Sequence, residues 1–116
     1  MQLEAKKYLF DVRQACARVA EFTKGKSFAD YEQDPMLKAA VERQFEIVGE
    51  ALNRLAKLDA SVVEQITDHR RIIAFRNILV HAYAQIDNRV VWGVVEANLP
   101  ALTAEVGALL EDGSGD

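Results

Sequence analysis

The sequence has one cysteine, Cys16, in 116 residues, so no disulfide can form within the chain. No cluster of cysteine and histidine has the spacing of a zinc site, and no metal or cofactor is expected. No apolar run approaches the roughly 20 residues that a membrane-spanning helix needs. The opening MQLEAKKYLFDVRQ scatters charge along its length and lacks the apolar core of a signal peptide. A cytoplasmic protein without membrane association is expected. Basic charge is also scarce, with 14 Lys and Arg against 18 Asp and Glu and a net charge of −4. That balance argues against broad, sequence-independent binding to nucleic acid. No series of alternating strands and turns is present, and neither is an internal repeat or a linker.

What is there is helical. Half of the residues are apolar and 28% are charged, the composition of a globular domain, and the length suits one. Ala5, Tyr8, Leu9, Val12, Cys16, Val19 and Thr23 recur at steps of three and four, which predicts a helix over residues 2–23 with Gly25 as its stop signal. Residues 27–31 read as a turn or a single helical turn. Asp34-Pro35 is a helix start, a capping side chain followed by proline at the first position. Leu37, Ala40, Val41, Gln44, Val48, Ala51, Leu52 and Leu55 form the stripe of a long second helix. Gly49 interrupts it at a cost in helix propensity, which close contact with another helix would explain. Gln44 on that stripe is expected to be a buried hydrogen-bonding residue, and Cys16 to pack as a small apolar group. Asp59 or Ser61 is placed to cap a short piece, Asp68 to cap the next helix to about His81, and Asn88 to cap a final region. Pro100 bends or restarts that region, which runs to about Glu111. Long amphipathic helices with short connections imply an all-α antiparallel bundle over residues 1–112, with residues 113–116 a disordered tail.

Charge is unevenly placed. Residues 1–67 carry ten basic and eleven acidic side chains, and residues 93–116 carry five acids and no base. Residues 68–92 carry Arg70, Arg71, Arg76 and Arg89 against Asp68 and Asp87. The one basic region therefore surrounds Arg76-Asn77-Ile78-Leu79-Val80-His81-Ala82-Tyr83. Histidine, with a pKa near neutrality, suits proton transfer at a 2′-hydroxyl or at a leaving oxygen. Arginine suits a phosphate and the charge that grows on it in the transition state. Asn77 can bond a phosphate oxygen or orient the histidine, and Tyr83 can position substrate or stack on a base. Arg76 and His81 are five residues apart and so diverge by roughly 140° on one straight helix. A two-fold dimer that brings two such helices together removes the difficulty.

Plainer explanations exist for each of these residues. A histidine in the last turn of a helix interacts well with the helix dipole. Arg-x-x-x-x-His is a short pattern that chance supplies often. His69-Arg70-Arg71 reads as a solvated basic face, with Arg70 and Arg71 the residues on it available to bind substrate. Glu46 and Glu50 lie one turn apart like metal ligands, but no Glu-x-x-His partner accompanies them.

The chain also resembles a known family. Residues 76–83 match the Arg-x4-His-x-Tyr signature of HepT-like proteins of the HEPN superfamily. Tyr8-Leu9-Phe10-Asp11-Val12 is similar to the family's first helix, and residues 22–28 to its Tyr-Thr-x-Gly-x-Ser-Phe turn. Ile47-Val48-Gly49-Glu50-Ala51 is similar to its second long helix, and Val91-Trp92 and Leu99-Pro100 to its last ones. The chain departs from the pattern at Asp68 and His69, where proline and tryptophan are common, and at Ala82, where glycine is frequent. The resemblance implies a dimeric helical bundle with its catalytic motifs meeting at the interface. It further implies a metal-independent endoribonuclease toxin of a type VII toxin–antitoxin module. Arg76, Asn77 and His81 would be its catalytic residues. An MntA-like nucleotidyltransferase antitoxin would neutralise it by moving AMP from ATP to Tyr83. Two other readings compete: a helical substrate-binding or scaffold subunit of a nucleotidyltransferase complex that cleaves nothing, and a dimeric bundle whose Arg/His pair is structural.

Overall fold

The first helix, α1 (Leu3–Thr23), buries Ala5, Leu9, Val12, Ala15, Cys16 and Val19 and ends where Gly25 takes φ +73°. Glycine is the residue that adopts this conformation at least cost, so the apolar stripe and its stop signal are both realised. A computed structural model describes residues 1–81 and 86–113. Among them every regular element is helical.

Helix α2 (Phe28–Gln33) is held by a capping box. The Asp30 amide donates to Ser27 Oγ at 3.2 Å, and the Ser27 amide donates to Asp30 Oδ2 at 2.9 Å. Asp34 then caps α3 (Pro35–Leu58), its Oδ1 accepting from the amides of Met36 and Leu37 at 3.1 Å each. Helix α3 buries Leu37, Val41, Phe45, Val48, Ala51, Leu52 and Leu55. Phe45 takes the core position beside the one expected of Gln44. The Gln44 side chain is only partly covered, and its Oε1 is buried without a hydrogen-bond partner among the described residues.

A short α4 (Ala60–Val63) follows, then the motif helix α5 (His69–His81). Asp68 does not cap α5 as expected. Its backbone is left-handed, at φ 60°, rather than extended as an N-cap requires, and its carboxylate accepts from Asn98 Nδ2 at 3.2 Å. Beside it, the amide and hydroxyl of Thr67 donate to Glu105 at 3.1 and 2.8 Å. The start of α5 is thus tied to the C-terminal region. Helix α6 (Asn88–Gly93) is capped by Asp87 and not by Asn88: Asp87 has the extended backbone of a cap, and its Oδ1 accepts from the Arg89 amide at 2.9 Å. A π-helical turn over Val94–Asn98 leads into α7 (Leu99–Gly113). Pro100 is the second residue of α7, so the helix continues through the proline, with the widened turn just before the residue that cannot donate. The expected tail falls partly in α7, and residues 114–116 lie outside the described residues.

Helix α3 is the central element, packed against both α1 and α5, and α7 packs against α1. Phe45 of α3 meets Phe75 of α5 edge-on at 5.7 Å between ring centroids. Tyr31 of α2 stacks tilted against Trp92 of α6 at 5.3 Å. No charged side chain is buried among the described residues. Cys16 is fully buried, as expected, and burial pushes its thiol up to about 11. No helix among the described residues is long and apolar enough to cross a membrane.

Candidate active site

Helix α5 turns Ile72, Phe75 and Leu79 into the core and leaves Arg70, Arg71, Asn77, Ile78, Val80 and His81 exposed. Arg76 lies between these sets, adjoining the buried stripe, and points toward α3. What it meets there is Gly49. A Cβ on Gly49 would collide with Cβ of Arg76 and stand 3.4 Å from the Ile72 carbonyl oxygen. The mid-helix glycine is therefore a point of close approach between α3 and α5, as its position in the stripe suggested, and the residue it admits is the motif arginine.

The residue after Gly49 fixes that arginine. Arg76 Nη2 donates to Glu50 Oε2 at 2.7 Å, and Arg76 Nη1 donates to Asn77 Oδ1 at 2.9 Å. Arg54 Nε donates to the other carboxylate oxygen of Glu50 at 2.9 Å. The result is a chain of four side chains, Arg54–Glu50–Arg76–Asn77. Its Glu50–Arg76 link joins two helices, whereas Lys7–Asp11, Arg43–Glu46 and Arg54–Glu50 at the same cleft each stay within one helix. The Arg54 hydrogen bond holds the Glu50 carboxyl below its ordinary value; desolvation opposes it, and the charges of Arg76, Arg54 and Lys57 add to the lowering. Glu50 is thus an anion at any pH near neutral, and it is already satisfied by two guanidinium groups.

Arg76 borders an open cleft of about 350 Å³ between α1, α3 and α5, lined also by Tyr8, Arg43, Ile47, Glu50 and Val80. Tyr8 near the start of α1 and Arg54 near the end of α3 share this lining, as antiparallel helices require. A guanidinium has five N–H donors. Two are engaged by Glu50 and Asn77, and three are not.

The other candidates are dispersed. Asn77 is bonded to Arg76 and is otherwise exposed. His81 is exposed at the end of α5 and does not border the cleft that holds Arg76. Within one copy the divergence expected from helical geometry stands. Arg70 and Arg71 are exposed at the start of α5, as a solvated face would be. Arg71 borders a separate, more apolar recess with Phe75, Ile78, Val90 and Val94. His69 is partly covered, with Nδ1 3.0 Å from the Ile66 carbonyl oxygen. Tyr83, the candidate modification site, lies outside the described residues. Sequence reasoning placed Glu50 in the stretch that resembles the family's second long helix, and the one role it weighed for it was metal ligation. The signal that could have identified it was its place directly after Gly49, at an expected helix contact, with a basic motif helix as the available neighbour.

A family model described as ribonuclease HepT-like matches residues 12–109. A chain from Thermococcus cleftensis, named a probable ribonuclease HepT, is 33% identical over 102 residues, covering 88% of this chain and 92% of that one. A chain from Caldanaerobacter subterraneus subsp. tengcongensis, named an RNase by inference, is 32% identical over 104 residues, covering 90% and 92%. Another so named, from Methanocaldococcus jannaschii, is 31% identical over 103 residues, covering 89% and 94%. No solved structure matches significantly. The motif arginine seated in a cleft and the match along most of the chain agree: this protein belongs to the ribonuclease HepT-like family.

Proposed function

We propose that this protein is an endoribonuclease that cleaves RNA without a metal ion, using Arg76 and His81. The observation that carries the reading is the state of Arg76: anchored through two of its donors, at the border of an open cleft. In the reaction, His81 accepts the proton of a ribose 2′-hydroxyl. The 2′-oxygen bonds to the adjacent phosphorus as the bond from phosphorus to the 5′-oxygen breaks, and the departing oxygen takes up a proton. The products are a 2′,3′-cyclic phosphate and a 5′-hydroxyl. Arg76 holds the phosphate and stabilises the charge that develops on it.

One copy does not bring Arg76 and His81 together, so the reading includes a homodimer in which the α5 helices of two copies meet. Ile78 and Val80, 54% and 39% exposed on the motif helix, are apolar side chains that such a contact would cover. The reading further includes a type VII toxin–antitoxin role, with an MntA-like nucleotidyltransferase transferring AMP to Tyr83. A nucleotide there would add negative charge two residues beyond His81 and repel RNA.

A second reading is favoured by the same ion pair. An arginine tied to Glu50 serves as a clamp between α3 and α5, and the protein would then be a helical subunit that cleaves nothing. One experiment separates the two. RNA is incubated in EDTA with the unmodified protein, with Arg76→Ala, with His81→Ala, and with protein co-expressed with the nucleotidyltransferase. The proposal expects cleavage by the first alone, with each substitution lowering the rate by about 100-fold or more. Co-expressed protein should gain the mass of AMP and lose activity, and Tyr83→Phe should prevent both. Intact RNA with the unmodified protein, together with a lower melting temperature for Arg76→Ala, would support the clamp.

A further inference from the structure

The motif helix alone does not fix where Arg76 points, because its long side chain has many rotamers. Three features outside the motif do so. Gly49 lets the two helices approach until the stem of Arg76 lies against the α3 backbone. Glu50 Oε2 accepts from Nη2 at 2.7 Å. Arg54 Nε, bonded to Glu50 Oε1 at 2.9 Å, holds the carboxylate itself in place. Asn77 Oδ1 takes a donor on the other terminal nitrogen. The guanidinium is thereby restrained at both ends of its fork, with one donor left on each terminal nitrogen and a third on Nε.

We propose that Glu50, braced by Arg54, is the positioning residue that holds Arg76 in the orientation required for transition-state stabilisation. This rests on the ribonuclease reading. Preorganisation is the physical gain: an arginine already held in place needs no reordering as charge builds on the phosphate. The carboxylate does not cancel this gain, since Arg54 and Arg76 share its single charge and leave a net positive group lining the cleft.

The test is cleavage of an RNA oligonucleotide in EDTA, with kcat and KM measured separately and well below each variant's melting temperature. Glu50→Ala is expected to lower kcat by about 100-fold, the scale of a misplaced catalytic group, with KM changed less than about threefold. Glu50→Gln keeps an oxygen for Nη2 and should recover most of the rate. Glu64→Ala, an exposed carboxylate that borders neither this cleft nor Arg76, should cleave like the unsubstituted protein. Guanidinium NMR gives a second readout: resolved Nη signals for Arg76 in the unsubstituted protein should merge in Glu50→Ala. Cleavage by Glu50→Ala at the unsubstituted rate overturns the proposal while leaving the ribonuclease reading intact. A faster rate also overturns it, since Glu50 would then compete with phosphate for Arg76. An unsubstituted protein that leaves RNA whole removes the underlying reading and this proposal with it.

Discussion

At the scale of single residues, the burial of Cys16 has a measurable consequence. Its thiol titrates in the fold near 11, raised from 9.0 chiefly by desolvation. A raised acid pKa means that the unfolded chain releases its proton first. Stability from the neutral thiol is therefore complete below about pH 9 and declines as pH rises toward 11. Tyr31 shifts in the same direction, also through burial. The melting temperature should fall more steeply between pH 9 and 11 in the unsubstituted protein than in Cys16→Ala. Equal slopes would show that Cys16 is not the source. The packing role of Cys16 was legible because it falls on a helical stripe. The pairing of Arg76 with Glu50 was not, because 26 positions separate the two and a helical period reports only neighbours on the same helix. The same limit hid the Asp68–Asn98 and Thr67–Glu105 bonds.

At the scale of elements, the contact between α3 and α5 is decided by Gly49. Alanine there would gain about 1 kcal/mol in helix propensity. It would also force its Cβ into the stem of Arg76, and such overpacking costs about 1–3 kcal/mol. The collision is with Cβ and Cγ of Arg76, which move only if α5 moves, so the steric cost should prevail. Gly49→Ala should lower stability by about 1 kcal/mol in a denaturant titration and reduce RNA cleavage by displacing Arg76. Equal or greater stability would mean that the helices separate freely. Element boundaries were well marked where local chemistry sets them: Asp34-Pro35 and Gly25. They were misplaced where backbone conformation rather than residue type decides. Asp68 is left-handed, Asp87 precedes Asn88 as the cap, and a π-helical turn precedes Pro100. Residue preferences overlap too much at these sites to choose between adjacent candidates.

At the scale of the whole molecule, the all-α architecture follows from stripes with a period near 3.6 and from the lack of alternating runs. The site is less complete than the fold. Arg76 is seated in its cleft by α3, and His81 stands on the outside of the same helix. A centre containing both therefore calls for a second copy. The measurement that tests this most directly mixes two inactive proteins. Arg76→Ala and His81→Ala are combined after partial unfolding, refolded together, and assayed on RNA in EDTA. In a mixed dimer one of the two composite sites carries both substitutions and the other carries neither. Random pairing should restore about a quarter of the unsubstituted rate, since half the dimers are mixed and each holds one intact site of two. No recovery from a mixture shown to contain mixed dimers, while the unsubstituted protein cleaves RNA, would contradict a site shared between copies.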